Sequence, residues 1–208
     1  MLFNEHPTHK ISTIVETLMP RSALRYDAME DVWYHSDMGN GESSLELAPQ
    51  EARVFVFPGE AGAQGLAAEP VYCKGPSSME LTDWHITYQW ANTAEWTEQP
   101  PVDLLSFSGV IRYTTAFQLP DDVKRAALHI ESAGETVMGE LNGHTLPLRM
   151  SWPYTWDVGT AVRGSDNVLT LEVATTLVGQ YRDEFSSYMA LPVPGLNGKV
   201  CVYFDTAE

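Results

Sequence analysis

A chain of 208 residues, 44% apolar and 19% charged, has the make-up of a folded protein with one or two cores rather than a disordered one. Its 28 acids against 12 bases leave a formal charge of -16. That charge repels phosphate backbones and anionic lipid, so neither nucleic acid nor a membrane is an expected partner and a neutral ligand fits better. Cys73 and Cys201 are too few for a disulfide framework and lack metal-ligand or redox spacing; two buried thiols are the expectation, a distant disulfide the alternative.

No stretch approaches the roughly twenty apolar residues that span a bilayer. The opening MLFNEHPTHK carries Glu5 and two histidines where a secretory signal needs an apolar run after basic residues. A piece cut from a longer chain would read the same way, so the compartment stays open.

Along the chain the hydrophobic pattern is short and period-two. HKISTIVETL, SALRYDA and DVWYHS read as strands, and SSLELAP and QEARVFVFP as two more around a turn at Pro49. These define a small β-unit over residues 1–58. The Gly/Pro-rich, non-periodic stretch that follows, residues 59–79, reads as a linker. From residue 80 to 208 come MELTDWHITYQW, SGVIRYTTAFQLP, RAALHIESAG, ETVMGELNGHTL, NVLTLEVATT and GKVCVYF. Strands at this spacing argue for an antiparallel β-sandwich. The competing helical readings, QPPVDLL and TTLVGQYRDEFSSYM, are short. Asn142-Gly143 is the dipeptide that best tolerates positive φ in a tight hairpin, and Leu169, Leu171 and Val173 alternate with Val168, Thr170 and Glu172.

No catalytic cluster stands out: there is no Gly-x-Ser-x-Gly elbow, no phosphate-binding Gly loop and no His-Glu-x-x-His helix. His6 and His9 flank Pro7 and lack a third ligand, so no metal site is expected. Glycosidases use two carboxyls, one held protonated as the general acid. Asp121-Asp122 and Asp183-Glu184 sit in polar, turn-like contexts that suit solvated acids instead. No cofactor is expected, and a structural calcium is not readable from sequence.

The aromatics carry more. Trp84, Trp90, Trp96, Trp152, Tyr154 and Trp156 come from two regions that strand pairing could bring together. Sugar rings stack on such faces while short polar groups take the hydroxyls. A candidate carbohydrate site therefore has Trp152 or Trp96 as platform, Tyr154 beside it, and Asn142, His144 or Arg149 on hydroxyls. Against it, the period-two spacing of Trp152, Tyr154 and Trp156 suits a core.

Five segments in order carry a resemblance. Ser108, Gly109 and Tyr113 open a strand; Asn142 and Gly143 make a hairpin; Pro153, Tyr154, Asp157 and Val158 cross over; Asn167, Leu169 and Val173 close the set, ahead of LPVPGLNGKVCVYF. Together they resemble the galactose-binding-like jelly-roll domain of large glycoside hydrolases, most of all the C-terminal region of family 106 α-L-rhamnosidase-like enzymes and more loosely the sugar-binding domain of family 2. LFNEHPTHKISTIVET and SSLELAPQEARVFVF are similar to the last strands of the β-domain that precedes it there. The resemblance implies an accessory region whose partners are a carbohydrate and a catalytic domain of the same longer chain. The catalytic acids of such enzymes lie in a barrel of about 250 residues, for which this chain has no room. A ligand-free structural module and a small independent glycan-acting enzyme are the alternatives.

Overall fold

The computed structural model describes residues 1–6, 9–16, 23–36, 42–49, 51–57, 66, 76–181 and 193–206. The expected all-β architecture is what folds: every pairing between named strands is antiparallel. The helical readings shrink to single 3-10 turns at Leu104–Ser106 and Leu177–Gly179, and most of the second falls outside the described residues. No helix among the described residues is long and apolar enough to cross a membrane. The chain divides into two units, Met1–Val71 with Ser151–Pro153, and Tyr72–Met150 with Tyr154–Glu208.

In the first unit, β1 (Leu2–Phe3), β2 (Ile11–Glu16), β3 (Ala23–Asp27), β4 (Val32–Ser36), β5 (Glu42–Leu47) and β6 (Ala52–Val56) make two sheets, ordered β1-β6-β3-β4 and β2-β5. The strands on either side of Pro49 therefore part into different sheets instead of pairing with each other. Two buried polar side chains hold that corner. Asn4, fully buried, donates through its amide to the carbonyls of His9, Leu47 and Ala48, and its Oδ1 accepts from the His6 backbone. Glu51, also buried, accepts from the Ala48 N–H and pairs with Arg53. A buried amide or carboxylate is stable only when its atoms are matched in this way.

The second unit is a β-sandwich. Its strands are β7 (Ser77–Glu80), β8 (His85–Trp90), β9 (Gly109–Gln118), β10 (Val123–Ile130), β11 (Thr136–Leu141), β12 (His144–Arg149), β13 (Tyr154–Asp157), β14 (Asp166–Ala174) and β15 (Val200–Thr206). They form a four-stranded sheet, β13-β10-β15-β7, and a five-stranded one, β12-β11-β14-β9-β8. Most of the expected linker, 59–65 and 67–75, lies outside the described residues, and its end differs from the expectation. Residues 77–79 belong to β7, which pairs Ser77–Glu80 with Phe204–Cys201.

Alternation along the strands builds the core. Ile111 of β9, Leu128 and Ile130 of β10, Val137 of β11, and Leu169, Leu171 and Val173 of β14 are each no more than 1% exposed. Each such side chain removed from water contributes about 1.5–3 kcal/mol. Trp156 joins them at 1% exposed, its indole N–H donating to Pro147 O at 2.6 Å. The stretch expected as a loop around Tyr154 and Trp156 is thus an edge strand, paired on Leu128 to Ile130 of β10, with its aromatics turned into the core.

Two backbone features set the geometry of the five-stranded sheet. Asn142 and Gly143 have φ of 54° and 85°, the left-handed pair that a two-residue hairpin needs between Leu141 and His144. Gly109 lets β8 lie close, since a Cβ there would stand 2.0 Å from Gln89 O.

The start of β14 is pinned by Asn167, which is fully buried. Its Oδ1 accepts from the Arg163 N–H and from Asn142 Nδ2, each at 2.8 Å, and its Nδ2 donates to the carbonyls of Arg163 and Ser165. Each buried group left unpaired costs about 1–3 kcal/mol. Asn167→Ala is therefore expected to lower unfolding free energy by about 3 kcal/mol in urea titrations, while Val168→Thr, on the exposed side of the same strand, changes it by about 0.5 kcal/mol or less. A loss under about 1 kcal/mol for Asn167→Ala would remove the network from any central role.

Candidate functional site

The six side chains singled out for carbohydrate do not converge. Asn142 sits at the β11–β12 hairpin with both ends of its amide used: Nδ2 donates to Ala161 O and Asn167 Oδ1, and Oδ1 accepts from the Val168 N–H at 2.9 Å. Arg149 is buried. Its Nε and Nη2 point at Thr155 O, and its guanidinium lies 5.7 Å from the centre of the Trp156 ring. Tyr154 is buried as well, with its hydroxyl donating to Glu135 O at 2.6 Å. His144 is exposed beside the hairpin turn. Trp152 is half-buried and falls with the first unit. The other aromatics are dispersed: Trp84 meets Tyr113 edge-on, and Trp90 meets Phe107.

Trp96 has different surroundings. It is half-buried, and the Arg112 guanidinium lies 3.7 Å from its ring centroid, close enough for a cation–π contact. Arg112 comes from β9 at a position that alternates with the inward Ile111, so it stands on the outer face of the five-stranded sheet. Register places Thr87 of β8 and Glu172 of β14 on either side of it. Arg112 Nε and Nη2 both donate to Glu172 Oε1, at 2.8 and 2.6 Å. The next row across the same strands is His85, Thr114 and Thr170, with the two threonine hydroxyls 3.4 Å apart. His85 in turn lies 3.6 Å from Glu98. Aromatic face, guanidinium, carboxylate and hydroxyls are thus assembled on rigid strands, which positions them better than a loop would.

Sequence reasoning reached Trp96 but missed Arg112, Glu172, Thr114 and Thr170. Their outward phase on β9 and β14 was readable from alternation. The pairing that sets Arg112 against Glu172, sixty residues apart, was not.

For acid chemistry the described residues offer little. Asp121 and Asp122 are exposed, and Asp183-Glu184 lies outside the described residues. Burial pushes the Glu135 carboxyl above its ordinary value, with Thr176 drawing it partly back; a glycosidase needs two such groups in distinct environments. His6 and His9 meet edge-on with ring nitrogens 2.9 Å apart, and no set of three metal-ligating side chains occurs among the described residues. Cys201 is a buried free thiol raised mainly by burial, while Cys73 lies outside the described residues.

No protein-family model matches the chain, and no curated protein matches it by sequence. By fold it is similar to a rhamnosidase from Novosphingobium sp. PP1Y, with a TM-score of 0.58 and 18% identity over 96% of this chain and 22% of that one. It spans, then, about a fifth of that protein's length. Looser similarity extends to a β-glucuronidase from an uncultured Clostridium sp., with a TM-score of 0.47 and 16% identity over 67% of this chain and 31% of that one. A GH2 β-galacturonidase from Eisenbergiella tayi gives 0.42 and 16% over 61% and 24%. The likeness establishes a fold that occurs within glycoside hydrolases.

The two kinds of polar contact differ in energetic weight, and both can be measured. The Arg112–Glu172 side chains are 36% and 27% exposed, so solvent screens the pair and a double-mutant cycle with Arg112→Met and Glu172→Leu should give a coupling of about 1 kcal/mol or less. For Tyr154, burial foremost and the Glu135 charge second push the phenol up to about 12. The folded protein then holds a proton that the unfolded chain releases near its ordinary value of 10.0. This contribution to stability is complete below pH 10 and is lost as pH climbs through about 12. Between about pH 9 and 11.5, denaturant unfolding should lose stability faster in the parent protein than in Tyr154→Phe. Parallel pH curves would show that Tyr154 is not among the groups responsible.

Proposed function

We propose that the chain is a non-catalytic accessory region of a glycoside hydrolase, binding carbohydrate on the outer face of its five-stranded sheet and working beside a catalytic domain of the same longer chain. The observation that carries the reading is the fold match over 96% of this chain to about a fifth of a rhamnosidase. A piece of that size and architecture is an accessory part of a larger enzyme. Trp96 is the stacking platform, Arg112 and Glu172 are its polar neighbours, and a neutral sugar suits the acidic surface. No cofactor enters the proposal.

A second reading, a structural module without ligand, draws support from Asn142, Arg149 and Tyr154, whose polar atoms bond inside the protein. Calorimetry and a glycan array separate the two, using rhamnose-, galactose- and glucuronate-containing oligosaccharides with and without calcium. On the carbohydrate reading, saturable binding weakens about ten-fold or more in Trp96→Ala, equivalent to about 1.4 kcal/mol, and survives in His144→Ala. Loss in Trp152→Ala alone would move the site to the first unit. Silence across the array from a folded sample would leave the structural reading.

A further inference from the structure

Arg112 and Glu172 make an unusual ion pair. Both guanidinium donors, Nε and Nη2, converge on the single oxygen Oε1 of the carboxylate. A fork-to-fork pair would use both oxygens. Here Oε2 of Glu172 and Nη1 of Arg112 take no hydrogen bond from the described residues, so a strong acceptor and a strong donor stand side by side at the edge of the pair. Two neighbouring hydroxyls on a sugar ring ask for that arrangement: one oxygen accepts from a guanidinium N–H while the adjacent O–H donates to a carboxylate.

The surroundings hold these two atoms in place. Trp96 lies over the guanidinium at 3.7 Å, fixing its plane and shielding one side from water. The second row, with His85, Thr114 and Thr170, runs parallel across the same three strands and adds hydroxyl and imidazole groups. Three strands at about 4.8 Å spacing give a polar row of about 10 Å, room for about two pyranose rings.

We propose that Arg112 and Glu172 form a diol clamp, and that the ligand is a neutral oligosaccharide with one ring against Trp96 and the vicinal hydroxyls of a ring held between Arg112 Nη1 and Glu172 Oε2. This rests on the carbohydrate-binding reading above and specifies the polar half of that site. Neutrality follows from charge. The one guanidinium is already matched by Glu172, Glu98 and Glu140 stand near the rows, and the formal charge of the chain is -16, so a uronate carboxylate is repelled.

The test is calorimetry on the full 208-residue chain with neutral rhamnose- or galactose-containing oligosaccharides, their uronate-containing counterparts, and four variants. Arg112→Met and Glu172→Leu remove the donor and the acceptor while keeping much of the stem that packs on the sheet. Arg112→Lys keeps charge without the fork, and Trp96→Ala removes the ring. Unfolding curves verify that each variant is folded. Each clamp variant is expected to weaken neutral-sugar binding at least ten-fold, with Arg112→Lys intermediate and uronate ligands weaker than neutral ones throughout. Sugars whose vicinal pair is methylated should bind the parent protein as weakly as the clamp variants do. If Trp96→Ala abolishes binding while Arg112→Met and Glu172→Leu bind as the parent does, the clamp is overturned and the carbohydrate reading stands. If the parent protein binds none of the sugars, the carbohydrate reading itself falls and the clamp with it. Preference for uronates would overturn the charge argument and the neutral ligand with it.

Discussion

The bond from which the second unit takes its order joins two amides, Asn142 at the end of β11 and Asn167 at the start of β14. Around it the Asn142 N–H donates to Val168 O, and the Val168 N–H donates to Asn142 Oδ1. This sets the register of β11 on β14 at one end of the sheet. Side chains in a strand alternate faces, so a slip by one residue would turn Leu169, Leu171 and Val173 outward and bury Val168, Thr170 and Glu172. The core and the polar outer face are two readings of that single register. Arg112 finds Glu172, not Leu171 or Val173, because β14 begins where Asn167 puts it.

A division of labour follows. Side chains whose polar atoms are buried and matched, Asn4, Asn142, Arg149, Tyr154 and Asn167, hold strands, corners and turns. In a low-dielectric interior an unmatched polar atom is costly, so such residues cannot also wait for a ligand. The outer sheet face obeys other rules. Its ion pair is half-exposed, contributes little to folding, and is free to exchange partners with solvent or a sugar.

Much of this was legible in the sequence, and the limits are physical. Alternation in NVLTLEV gave the inward phase of Leu169, Leu171 and Val173, and Asn142-Gly143 marked its turn because few dipeptides accept two positive φ angles. Segments chosen for their likeness to a glycoside hydrolase domain proved to be frame: the Ser108 hydroxyl accepts from the Gln180 N–H, the Tyr113 hydroxyl from the Leu196 N–H, and Asp157 from the Gly159 N–H. The strand Tyr154–Asp157 was harder to read, because it is short and buries three consecutive residues, which erases the period-two signal. The candidate site was the least legible part. A cluster such as Trp96, Arg112 and Glu172 exists only through long-range pairing, which leaves no local trace in composition or spacing.

The position of β15 has a consequence for how the sandwich comes into being. Val200–Thr206, late in the sequence, is not an edge but lies between β10 and β7, completing a ladder with each. Strand β7 precedes its partner by more than a hundred residues, and until β15 arrives β10 has only the short β13 beside it. During synthesis the four-stranded layer therefore cannot assemble from its front end; β7 and the inner flank of β10 must wait with open ladder groups and bare apolar faces. Closure of the domain is a terminal event, and a ribosome or protease that stops short of β15 leaves an unpaired strand rather than a smaller sandwich.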